Sequence, residues 1–154
     1  MSCGAGLGTL TEKLSEKLDA DYVFIIGNSN SDHPDLSLGA TISAYSYRKA
    51  KVLLLSEAAS RFISEHPTGS GDHTTHWENR LLLEERSGLY DIAPSLAVST
   101  DKIVTCAGLV STYDIMLQIV ATYLSKAKLL TVSSILLLDK VRSFETRQPG
   151  AMDA

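Results

Sequence analysis

The chain has 154 residues, with 14 basic and 18 acidic side chains, a net charge of −4 and 44% apolar residues. That length suits one domain, able to bury roughly 68–70% of its extended surface, and the composition argues against disorder. The acidic balance argues against a nucleic-acid surface spread over the chain. Two cysteines, Cys3 and Cys106, are too few and too far apart for a disulfide framework or a thiolate zinc site. No apolar run approaches the roughly 20 residues of a bilayer span. Met1 to Leu10 carries no basic region ahead of an apolar stretch, so a cytoplasmic, reducing setting is the expectation. Neither a fixed-period repeat nor a low-complexity stretch beyond short Ser/Gly-rich loops is present.

Taken in chain order, Tyr22 to Ile26 is a continuous apolar run closed by Gly27-Asn28-Ser29-Asn30, which reads as a strand buried on both faces. Lys51 to Leu55, ending at Ser56, reads the same way. Between them, 36–50 can form a helix with Leu38, Ile42 and Tyr45 on one side, making a strand–helix–strand unit. A helix begins directly after Ser56, faces Ala59, Phe62 and Ile63 inward, and stops before Pro67. A Gly-rich loop then leads to Thr74-Thr75 and a short helix from Trp77 to Arg86. Leu96–Ser99 and Lys102–Thr105 read as two strands joined by a Thr100-Asp101 turn. In the clearest helix, Ile115, Met116, Ile119, Val120 and Tyr123 recur at spacings of three and four, with Asp114, Gln118 and Thr122 opposite. Ser111 and Asp114 resemble a capping box. A last helix, 126–142, is expected to bury Leu129, Leu130 and the Ile135–Leu138 group.

Alternating strands and helices predict an α/β sandwich with a mainly parallel sheet. Ligands in such sheets sit beyond the carboxyl ends of strands, so the turns after Ile26, Leu55 and Thr105 should share one crevice. Ser56 stands where a strained nucleophile elbow or a helix N-terminal anion site would lie. It has no flanking glycines, Glu57 is not small, and a plain helix N-cap explains it equally well. His76 is the second candidate, at the end of a strand, and a hydrogen-bonded strand-end histidine explains it as well. Of the four histidines, His73 and His76 with Glu78 make only a poor metal set, matching no standard spacing. Cys106 could be activated by the helix that follows it, but reads more simply as a small buried hydrophobe. Trp77, the single tryptophan, suits a pocket wall or a core position.

Leu53-Leu54-Leu55-Ser56, Thr74-Thr75-His76 and Ile103-Val104-Thr105-Cys106-Ala107-Gly108 with its following helix resemble the ThiJ/PfpI superfamily, which has the class I glutamine amidotransferase-like fold. Thr75-His76-Trp77-Glu78-Asn79 and Val104-Thr105-Cys106-Ala107-Gly108 are similar to the amino-terminal sensor domain of GlxA-type AraC-family transcriptional regulators. Ser2-Cys3-Gly4, Tyr22–Gly27, Val141-Arg142 and Arg147-Gln148 fit the same domain. The resemblance covers most of the chain. It implies a flavodoxin-like three-layer sandwich lacking the first strand–helix–strand unit, with 1–147 as a partial sensor domain and 148–154 as tail or start of a linker.

The superfamily places a nucleophilic cysteine at the elbow and a histidine after it; those positions fall on Ser56 and His76. With serine for cysteine, Glu57 for a small residue, and the first unit missing, the resemblance implies a sensor that has lost the chemistry. The expected site is Gly27, Asn28, Ser56, Glu57, His76 and Trp77, with no cofactor and no metal. Its expected ligand is a small metabolite such as a quaternary amine, for which Glu57 supplies charge and Trp77 a cation–π face. DNA would be bound only through a C-terminal helix-turn-helix domain outside this chain. The alternative is a hydratase, hydrolase or protease-like enzyme using Ser56 or Cys106 with His76. A third reading is a ligand-free dimerisation module. An absent leading strand leaves sheet edges open, so a homo-oligomer is expected.

Overall fold

The computed structural model describes residues 19–27, 38–66, 73–87 and 92–149. Its elements are β1 (Tyr22–Gly27), α1 (Leu38–Tyr47), β2 (Lys51–Ser56), α2 (Glu57–Glu65), α3 (Trp77–Ser87), β3 (Ala97–Ser99), β4 (Ile103–Cys106), α4 (Ser111–Ala121) and α5 (Lys126–Ile135). Among the described residues they form a mixed α/β fold around a four-stranded sheet of order β1-β2-β4-β3. β1, β2 and β4 run parallel, with Gly27 beside Ser56 and Leu55 beside Cys106, while β3 is antiparallel to β4. The carboxyl ends of the three parallel strands therefore lie along one edge, as the strand–helix alternation requires.

Burial follows from what each strand has on either side. β2 is central, and Val52, Leu53 and Leu54 are 0% exposed. Its pleat sends Val52 and Leu54 into a cluster with Leu38, Ile42, Phe62 and Ile63, and Leu53 and Leu55 into another with Val104, Cys106 and Ile115. β1 has the same kind of sequence but not the expected burial. Val23 and Ile25 pack on the first cluster, whereas Phe24 is 37% and Ile26 72% exposed. Among the described residues β1 pairs only with β2, so its outer edge is open and part of one face is bare. An apolar run makes double burial possible; only a neighbour supplies it.

Two helices end earlier than the sequence suggests, and for the same reason. At the end of α1, Lys49 has φ 66° and the amides of Lys49 and Ala50 bond back to Ser46 O and Tyr45 O. At the end of α5, Leu137 has φ 55° and the amides of Leu137 and Leu138 bond to Ser134 O and Ser133 O. Both are paired C-terminal closures of the kind glycine usually makes, built here on residues that pay backbone strain for it. α5 thus stops at Ile135 instead of reaching Arg142, and it does not bury its leucines. Leu130 is 59%, Ile135 75% and Leu137 89% exposed, and among its residues only Ser133 is buried.

α4 is also reorganised relative to its sequence pattern. Asp114, expected on the outer face, is buried and bound by Arg142, while Met116 and Tyr123 are exposed. The segment after α5 lies against the polar side of α4: Gln118 Nε2 donates to Arg142 O at 2.5 Å. No capping box forms, because the Ser111 hydroxyl donates to Gly108 O at 2.7 Å and leaves the helix amides uncapped. Finally, Gln148, assigned to a tail by sequence, is 5% exposed and belongs to the packed body. Among the described residues, no helix is long and apolar enough to cross a membrane.

Candidate functional site

The chain turns sharply at the end of β2. Ser56 has φ 56° and ψ −126°, a region that a side chain makes costly, by about 1–3 kcal/mol. From there α2 begins at once with Glu57. This is elbow backbone, and it forms without the small flanking residues that the sequence reading demanded. Room for it comes from the neighbouring strand: a Cβ on Gly27 would lie 2.2 Å from Ala58 N and 2.7 Å from the carbonyl carbon of Glu57. The Glu57 side chain is accommodated by accepting a hydrogen bond from Asn79 Nδ2 at 2.9 Å, on α3. Asn79 Nδ2 also lies 2.9 Å from Ser60 Oγ. The simple N-cap reading of Ser56 does not hold, because its hydroxyl makes no capping bond.

His76 is set at the end of an irregular segment, not of a strand, directly before α3. Its position is determined by the two threonines ahead of it, each 0% exposed. Thr74 N donates to Thr105 Oγ1 at 2.9 Å, and Thr74 Oγ1 lies 2.7 Å from Ala93 O and 2.8 Å from Ser95 O. The Thr75 and Ser60 hydroxyl oxygens are 2.5 Å apart, which ties this segment to the first turn of α2 behind the elbow. Carried on this base, the His76 ring is 43% exposed, with Nδ1 3.6 Å from Glu78 Oε2. Its centroid stands 5.6 Å from that of Trp77 at an interplanar angle of 37°.

Beside the ring is a cavity of about 340 Å³, within the range of small-molecule sites. His76 and Trp77 form one side; Gly108 and Ser111, Arg142, and Gln148 form the others, with apolar walls from Leu96, Ala107, Leu109 and Val110. A Cβ on Gly108 would point toward His76 and Ser111, 3.8 Å from His76 Cδ2, an ordinary contact distance. Arg142 does not bring a free charge. Its Nε and Nη2 donate to Asp114 Oδ2 at 2.9 and 2.6 Å, and its backbone amide donates to Asp114 Oδ1 at 2.7 Å. The cavity is therefore mostly apolar, with a few polar groups at its margins.

Of the six residues expected at the site, His76 and Trp77 line this cavity. Gly27, Ser56 and Glu57 meet one another at the elbow and are not among its lining residues, and Asn28 lies outside the described residues. Glu57, unlike Trp77, is thus not a wall of this cavity. Gly108, Ser111, Arg142 and Gln148 were not expected there. Only Gly108 had a local signal, its place just past the carboxyl end of a parallel strand. Cys106 is 0% exposed, with Sγ 3.3 Å from Ser111 Oγ and 3.4 Å from Gly108 O, as befits a packed thiol. His73 stands edge-on to Phe62 at 5.2 Å, and among the described residues no three metal-binding side chains gather. No protein-family model matches the chain, and no curated protein matches it.

Proposed function

We propose that these residues form the ligand-sensing domain of a GlxA-type AraC-family transcriptional regulator, a non-catalytic module that binds a small metabolite beside His76. The observation that carries this reading is the backbone of Ser56, an elbow turn at the end of the central parallel strand with a hydroxyl in place of a thiol. The ThiJ/PfpI resemblance puts its nucleophile and its histidine at Ser56 and His76. A serine hydroxyl without a base to take its proton is a poor nucleophile, and Ser56 does not line the cavity that His76 borders. In this reading the fold is a flavodoxin-like three-layer sandwich; the two apolar clusters that meet at β2 support it. DNA is contacted by helix-turn-helix units outside these residues, in the cytoplasm. The outer edge of β1, unpaired among the described residues, supports a homo-oligomer.

The effector class suggested by the resemblance is a quaternary amine or similar nitrogenous compound, for which the Trp77 ring offers a cation–π face. Calorimetric titration with glycine betaine and carnitine tests it: saturable heat that disappears in Trp77→Ala supports the reading, and no heat from any quaternary amine removes the cation version. The enzyme alternative is tested separately. Turnover of acyl or glyoxal-type substrates is expected at background in the wild type, and activity lost on Ser56→Ala would overturn the non-catalytic assignment.

A further inference from the structure

Gln148 touches both sides of the site. Its Nε2 lies 2.8 Å from Thr75 O, 3.0 Å from Ser95 O and 3.2 Å from Thr74 Oγ1, so its two hydrogens serve three acceptors directly beneath His76. Its own backbone amide donates to Pro94 O at 2.9 Å, and the preceding residue, Arg147, pairs with Ser95. The side chain is buried, yet Gln148 and the exposed Pro149 also form part of the cavity wall. One amide therefore fixes the stem of the histidine, walls the cavity and anchors the C-terminal segment.

We infer that Gln148 is a positioning residue that couples occupancy of the His76 cavity to the docking of segment 147–149. The inference rests on reading that cavity as a ligand site. A molecule that fills the cavity bears on His76 and on Gln148 together, because both are walls of the same space. Loosening the segment withdraws the donor from Thr75 O and frees the His76 stem. The two effects are reciprocal, as linkage requires. The arrangement converts binding into a change at segment 147–149 without requiring a hinge or a second pocket.

Two variants of the full chain test it by hydrogen exchange and NMR, with no ligand or DNA. Gln148→Glu keeps the shape but cannot donate to two carbonyls. The expected result is about tenfold faster exchange at the Thr74 amide and at the amide of position 148, with Leu54 unchanged. Leu54 exchange would rise as well if Gln148 merely added global stability. Gly108→Leu places a side chain in the cavity as a covalent stand-in for ligand, and its Cβ makes only ordinary contacts. It is expected to change exchange at the Gln148 amide about fivefold or more, again with Leu54 unchanged. Wild-type exchange at Thr74 in Gln148→Glu, or wild-type exchange at Gln148 in Gly108→Leu, overturns the coupling. If Gln148→Glu does not fold, the Gly108→Leu arm decides alone. A chain that binds no amine can still show the coupling, so the two failures are distinguishable.

Discussion

Gly27 and Ser56 are partners across the β1–β2 ladder, and the strained turn at Ser56 fits only because Gly27 has no side chain. The elbow is thus shared between two strands. A β-carbon on β1 would run into the backbone of Glu57 and Ala58, which cannot swing aside as a flexible side chain could. Gly27→Ala is expected to cost about 3 kcal/mol of stability, the upper end of overpacking penalties. Ser56→Gly acts in the other direction, by about 1 kcal/mol, since relief of the positive φ outweighs glycine's greater freedom in the unfolded chain. Urea denaturation of the two variants checks both signs.

Asp114 and Arg142 should behave as a unit. The carboxylate is buried and accepts from the Arg142 amide and from two guanidinium nitrogens, while the Arg142 side chain is 28% exposed. Asp114→Ala leaves a half-covered guanidinium without its counter-charge and is expected to destabilise by about 3 kcal/mol. Arg142→Ala leaves the carboxylate buried and costs a similar amount, and the double variant costs less than the two single changes added together. Denaturation midpoints of the cycle measure this.

The bare face of β1 predicts self-association. Phe24 and Ile26 are exposed on a strand whose outer edge has no partner among the described residues. Ile26→Lys should not disturb the monomer core, because the side chain is 72% exposed, and a lysine on an edge strand opposes pairing. Size-exclusion chromatography is expected to show an oligomer for the wild type and a smaller species for Ile26→Lys. A wild-type monomer would refute the prediction.

Tyr22 gives the alkaline limb of stability a specific origin. Its phenol oxygen is 3.1 Å from that of Tyr123, and the hydrogen bond between them, with some burial, raises its pKa above the ordinary 10.0. The folded state therefore holds this proton more tightly than the unfolded chain does. The associated stability is complete below pH 10.0 and is lost as pH rises through the raised value. Tyr22→Phe should lower stability slightly near pH 7 and flatten that decline. Guanidinium midpoints measured from pH 7 to 11 check the sign.

Much of the architecture was readable residue by residue. The runs at Tyr22–Ile26 and Lys51–Leu55, the turn at Thr100-Asp101 and the period of Ile115, Ile119 and Val120 placed strands and helices within a few residues. Parallel order followed from their alternation. Ser56 and His76 were both visible as special, but only the Ser56 dihedrals separate an elbow from a helix cap, and those depend on a glycine in another strand.

Local pattern determined which segments are strands and helices, because hydrophobic period and turn chemistry act over a few neighbouring residues. Tertiary structure alone decided which surfaces are covered and which side chains meet. Phe24 and Ile26 stay exposed for want of a neighbour among the described residues, Asp114 is buried by an arginine far along the chain, and Gln148 reaches back to the stem of His76. Contacts of that span are fixed by packing in space, and no local sequence pattern encodes them.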